Sequence, residues 1–114
     1  MSDDDPAYLW DMLEAANRIV LFTRGVSFTK YSRNLMIQSA VERQLEILGE
    51  AARRVSTAYQ DEHPEIPWRP IIGLRNVLAH EYGEIKADRI WLIATREVVE
   101  LIQLLKPLIP PVDE

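Results

Sequence analysis

No cysteine occurs among the 114 residues of this chain, and histidine appears twice, as His63 and His80. The first absence excludes a disulfide framework and a thiolate metal site, and two histidines are too few for a Cys/His zinc cluster. Long apolar runs are missing as well; none reaches the roughly 20 residues that a bilayer-spanning helix needs. The opening residues, Met1-Ser2-Asp3-Asp4-Asp5-Pro6, are acidic where a secretory signal is basic and then apolar. A cytoplasmic protein with no membrane contact is therefore expected. Strand signals are also lacking, since no stretch alternates apolar and polar residues for more than a few positions, and there are no internal repeats.

What is present is helical periodicity. With 47% hydrophobic residues the chain can bury one core, and a single domain over residues 1–114 is expected, with an acidic tail at about 1–5 and a Pro-rich tail at about 106–114. The first helix should begin with Asp5 as its N-cap and Pro6 in its first turn, and run to about Arg24 before Gly25 breaks it. Leu9, Met12, Leu13, Ala16, Ile19 and Val20 mark its buried face. The second, from about Ser32 to Tyr59, carries Ile37, Val41, Leu45, Leu48, Ala52, Val55 and Tyr59 at steps of four and three. Gly49 weakens that helix by about 1 kcal/mol relative to Ala unless a close helix contact compensates. Pro64 and Pro67 punctuate a connection over residues 60–67. A third helix should run from Trp68 to His80, and a fourth from Asp88 as cap to Leu105. The spacing predicts an all-α fold, an up-and-down four-helix bundle with short loops.

The net charge of −5 speaks against a nucleic-acid partner at first. Its distribution is uneven: residues 1–14 carry −5, residues 15–60 carry +4, and residues 61–114 carry −4. Such a chain offers a local basic surface while staying acidic overall, although a solvated charged helix face explains the same pattern.

Chemistry is concentrated in Arg75, Asn76, His80 and Tyr82. An imidazole moves protons near neutral pH, and a guanidinium holds phosphate through a planar fork. At about 100° per residue, Asn76 and His80 share one helix face, so Asn76 is placed to orient the ring, while Arg75 is displaced to one side. RNA cleavage needs a base for the 2′-hydroxyl, an acid for the leaving 5′-oxygen, and positive charge for the phosphorane between them. One His per chain does not easily serve as both acid and base, whereas two chains related by a two-fold axis supply a pair. A structural reading of the same residues stands beside this one. His80 can complement a helix dipole, Arg75 can pair with Glu50, Tyr82 can be a half-buried aromatic, and Trp68 and Trp91 can belong to the core. His63 reads as an exposed loop residue.

Arg75-Asn76-Val77-Leu78-Ala79-His80 resembles the arginine, polar residue and histidine signature of the HEPN superfamily. With Glu81-Tyr82 added it is similar to the Arg-x4-His-x-Tyr motif of HepT-like proteins. The segment from Leu48 to Val55, with Gly49-Glu50-Ala51, and Ile66-Pro67-Trp68 with Gly73-Leu74 resemble further parts of that family, so agreement extends over roughly residues 8–105. The resemblance implies a four-helix HEPN-like bundle and a metal-independent, cofactor-free ribonuclease toxin acting on tRNA or mRNA from a homodimer interface. Arg75 would bind and stabilise the phosphate, His80 would transfer protons, Asn76 would orient His80, and Glu50 would be a supporting carboxylate. It also implies a companion nucleotidyltransferase of the MntA type, acting as antitoxin by transferring AMP to Tyr82. Related bundles occur too as non-catalytic companions of nucleotidyltransferases, and in that alternative Arg75 and His80 bind a phosphate or nucleotide without cutting anything.

Overall fold

Capping side chains divide the apolar periodicity into more helices than the period alone suggests. In the computed structural model, which describes residues 4–110, α1 spans Asp5–Thr23, α2 Phe28–Arg33, α3 Leu35–Arg54, α4 Thr57–Glu62, α5 Trp68–Ile72, α6 Leu74–His80, α7 Gly83–Leu92 and α8 Val98–Leu105. A π-helical turn over Ile93–Glu97 joins α7 to α8, and a 3-10 turn over Lys106–Leu108 follows. Of the two expected tails, residues 1–3 and 111–114 lie outside the described residues.

The expected second helix is three. Ser27 Oγ accepts from Lys30 N at 3.1 Å, Asn34 Oδ1 from Ile37 N at 3.0 Å, and Ser56 Oγ from Tyr59 N at 3.2 Å, so each begins a new helix. The apolar period passes through the break at Ser56 because Val55 and Tyr59 on either side are both buried. The expected third helix is split at Gly73 into α5 and α6. The fourth begins at Gly83 rather than Asp88, which is an exposed residue inside α7.

Asp5 is not the cap of α1 either; Asp4 holds that position, and Asp5 lies in the first turn, completely buried. Its carboxylate accepts from Ser56 N at 2.8 Å and from Ser56 Oγ at 2.6 Å, tying the start of α1 to the cap of α4 across 51 residues of sequence. The acidic tail thus stops short of Asp5.

α1 and α3 pack along each other and carry most of the core, with α8 against α1, α5 and α6 against α3, and α7 against α2. Met12, Ala16, Ile19, Val41, Leu45, Ala52, Ile90 and Leu105 are fully buried at their contacts. Each large aliphatic among them contributes about 1.5–3 kcal/mol relative to exposure. Tyr31 and Phe28 pack their rings on Trp91 at centroid distances of 5.1 and 6.0 Å. The half-buried pair Lys86–Glu42, 2.7 Å apart, fastens α7 to α3. The result is an all-α bundle of 42 × 33 × 19 Å, about two helix diameters thick. Among the described residues, no helix is long and apolar enough to cross a membrane.

Candidate active site

The polar cluster sits on α6, and the sequence just before it fixes where α6 lies. Ile66 and Trp68 are buried, and Trp68 Nε1 donates to His63 O at 2.9 Å, which anchors the entry to α5. His63 itself is half-buried rather than exposed in a loop: its ring lies 4.3 Å from that of Tyr59, and its Nδ1 is 3.1 Å from Glu65 Oε2. Ile71 and Leu74 then insert into the core above Gly49 of α3. A Cβ at position 49 would stand 3.0 Å from Ile71 O and 3.9 Å from Leu74 Cβ. The missing side chain is therefore what lets the backbone of α5 approach, and this close contact compensates the helix-weakening glycine.

α6 has only seven residues. Leu74 is buried, Val77 and Leu78 are half-buried, and Arg75, Asn76, Ala79 and His80 are exposed. His80 ends the helix, where a cation is favoured by the dipole. Glu81 and Tyr82 follow in extended conformation, and Gly83 at φ 61° turns the chain into α7. Only glycine adopts such a φ without strain. Arg89 Nη1 donates to Glu81 Oε1 at 2.7 Å, bracing α7 against the residue between His80 and Tyr82. Nothing in the sequence singles out this pair strongly, since the two residues are eight apart and separated by a turn.

Arg75, Asn76, His80 and Tyr82 have no side-chain hydrogen bond or ion pair among the described residues. Asn76 shares a face with His80 but does not bond to it. Tyr82 is 77% exposed, not half-buried. Arg75 and His80 are five residues apart, about 140° around the helix, so they look toward different sides. Arg75 opens on a cleft between α6, α3 and α1, lined also by Glu50, whereas Gly73 and Val77 border a separate cleft facing Arg89 and Arg96. Glu50 lies near Arg75 but is engaged elsewhere: its carboxylate accepts from Arg53 at 2.6 and 3.2 Å and from Arg54 at 3.2 Å. The Arg53 hydrogen bond, with Arg54 adding to it, holds the Glu50 carboxyl down at about 2. Among the described residues, no three His, Asp or Glu side chains are grouped so as to hold a metal ion.

Fold and site together define a small helical bundle that displays an arginine, a histidine and a tyrosine, all without side-chain partners among the described residues, around the end of one short helix. The chain belongs to the Ribonuclease HepT-like family, whose model matches residues 12–108. A protein of Methanocaldococcus jannaschii named "Putative RNase" is 38% identical over 98 residues, covering 86% of this chain and 90% of its own. A second protein of that organism with the same description is 32% identical over 98 residues, covering 86% and 81%. The "Probable ribonuclease HepT" of Thermococcus cleftensis is 35% identical over 94 residues, covering 82% and 86%. No solved structure matches the chain significantly.

Proposed function

We propose that this protein is a metal-independent endoribonuclease, the toxin of a toxin–antitoxin pair, which cuts tRNA or mRNA at a site shared by two copies of the chain. In the same reading, an MntA-type nucleotidyltransferase neutralises it by transferring AMP to Tyr82. The observation that carries this reading is that Arg75 and His80 are exposed on opposite flanks of α6 and have no side-chain partner among the described residues. Within one chain the two side chains lie about 140° apart on α6, and a two-fold axis beside α6 would bring His80 and Arg75 of both copies into one composite cleft.

In that arrangement one imidazole takes the proton of the 2′-hydroxyl as its oxygen attacks phosphorus. The imidazolium of the second copy protonates the departing 5′-oxygen, and Arg75 neutralises the phosphorane. The products are a 2′,3′-cyclic phosphate and a 5′-hydroxyl. Asn76, on the His80 face, is the side chain that orients the ring once the second copy and RNA complete the cleft. Tyr82 is suited to be a switch because its hydroxyl is open to an enzyme and lies two residues from His80. An adenylyl group there adds bulk and a negative charge where an RNA phosphate must dock.

The test is cleavage of total tRNA and a model mRNA by unmodified protein, checked by mass, in EDTA beside His80→Ala. The expected result is cleavage by the wild type alone, leaving 2′,3′-cyclic phosphate ends, with His80→Ala still folded and still dimeric. Equal cleavage by His80→Ala removes the catalytic role of His80. No cleavage of either RNA favours a non-catalytic companion of a nucleotidyltransferase.

A further inference from the structure

The cleft beside Arg75 has a composition that proton transfer at His80 does not explain. It measures about 400 Å³, the size of a small-ligand site, and four helices contribute to it, α5 through Ile72. Arg43, Ile47, Glu50, Arg53 and Arg54 come from α3, Tyr8 from α1, and Arg75 from α6. Arg43, Ile47, Glu50 and Arg54 fall at steps of four and three, with Arg53 beside them, so they form one stripe along the helix, about 16 Å long at 1.5 Å per residue. Four guanidiniums thus border a floor made of Tyr8, Ile47 and Ile72.

Exposed arginines on a helix commonly serve only as pairs with neighbouring carboxylates, and Arg53 and Arg54 near the end of α3 also suit its dipole. Two observations point past that role. A single carboxylate, Glu50, serves both Arg53 and Arg54. Arg54 uses only its Nε, and Arg53 uses Nε and Nη2, so three Nη groups remain for another acceptor. Arg75, on the facing wall, has no acceptor at all among the described residues. Asp11 and Glu46 also line the cleft, and Arg43 pairs with Glu46 only at 3.6 Å. The net charge at the cleft is weakly positive, and the arginines with unused donors all line it.

We infer that this cleft is the docking groove for single-stranded RNA next to the scissile phosphate, with Arg53 and Arg54 holding neighbouring phosphates and Tyr8 with Ile47 packing against a base or ribose. Cationic rims over an aromatic floor are the usual means of holding a single strand. Glu50 is a positioning residue that fans the two guanidiniums along the rim. The Arg53 and Arg54 hydrogen bonds hold its carboxyl well below the ordinary carboxylate range. The inference rests on the ribonuclease reading, and it adds a substrate contact in a cleft that His80 does not line.

The test uses full-length His80→Ala, which leaves RNA intact, and a fluorescent single-stranded RNA followed by anisotropy through a salt titration. Adding Arg53→Ala and Arg54→Ala should weaken binding about tenfold or more and reduce the salt slope by about 0.7 for each phosphate no longer held. Arg53→Lys with Arg54→Lys should keep most of the slope, and Arg33→Ala, on α2 away from the groove, should change neither quantity. Thermal unfolding of each variant separates weaker binding from impaired folding. If wild type cleaves RNA while the double alanine variant binds with unchanged affinity and slope, the groove assignment is wrong and the ribonuclease reading stands. If the wild-type protein neither binds nor cleaves RNA, both are wrong.

Discussion

Replacing Gly49 by alanine pits two effects of similar size against each other, and the structure decides which prevails. Alanine is favoured over glycine inside a helix by about 1 kcal/mol, so an open site in α3 would gain stability. Position 49 is not open: the new Cβ stands 3.0 Å from Ile71 O, with Leu74 Cβ at 3.9 Å and Ile72 O at 4.0 Å. Carbon to carbonyl-oxygen contacts ordinarily begin near 3.3 Å, so α5 must withdraw by a few tenths of an ångström. Its anchors Trp68 and Ile71 are both buried, which makes that withdrawal an overpacking of the core, costing about 1–3 kcal/mol. Gly49→Ala should therefore be destabilised by about 1 kcal/mol net, which lowers the melting temperature by about 4–8 °C. Because α5 carries α6, the variant should also cleave RNA several-fold more slowly at a temperature where it is fully folded. Calorimetry and an initial-rate assay on the same samples read both quantities. A melting temperature at or above wild type, with full activity, would refute the argument, since helix propensity would then have outweighed the contact.

Asp5→Ala removes the acceptor of two short bonds from Ser56 and should cost about 2–3 kcal/mol, measured by urea unfolding; a loss under half a kilocalorie would mean that the buried contact contributes little. Glu50→Gln tests the sign of a pH effect. The carboxyl of Glu50 lies lower in the folded chain, at about 2, than its ordinary 4.5. Its ionised form thus favours folding above about pH 4.5, and the contribution fades as pH falls toward 2. The stability gap between wild type and Glu50→Gln should narrow over that interval, and a gap that widens on acidification would contradict the assignment. In the proposed toxin–antitoxin pair, Tyr82→Phe should inhibit growth as the wild type does and escape neutralisation by an MntA-type partner, whereas normal neutralisation would remove Tyr82 as the required acceptor.

Much of the fold is legible in the chain itself. Helical spacing identifies the buried faces of α1 and α3, and the Arg75 to Tyr82 stretch stands out because four reactive side chains share eight positions. Gly49 is legible as a conditional weakness, and the contact with Ile71 supplies the condition. The breaks at Asn34 and Ser56 are harder, because apolar spacing runs through Val55 and Tyr59 as if the helix continued. There a local cap, with Ser56 itself held by Asp5, outweighs the period. The Gly83 start of α7 is masked by Asp88, a good cap residue that the fold does not use as one. The arginine-lined cleft is not legible beyond a surplus of +4 over residues 15–60, since Tyr8, Arg53 and Arg75 meet only when three helices pack.

In the proposed mechanism two copies of His80 act in one reaction. The decisive experiment purifies, through different tags, a mixed dimer with one wild-type chain and one His80→Ala chain, and measures RNA cleavage per dimer. A shared site needs both imidazoles, so the mixed dimer should retain about a hundredth or less of wild-type activity. Retention of about half would show that each chain cuts alone and that the two imidazoles do not share a site.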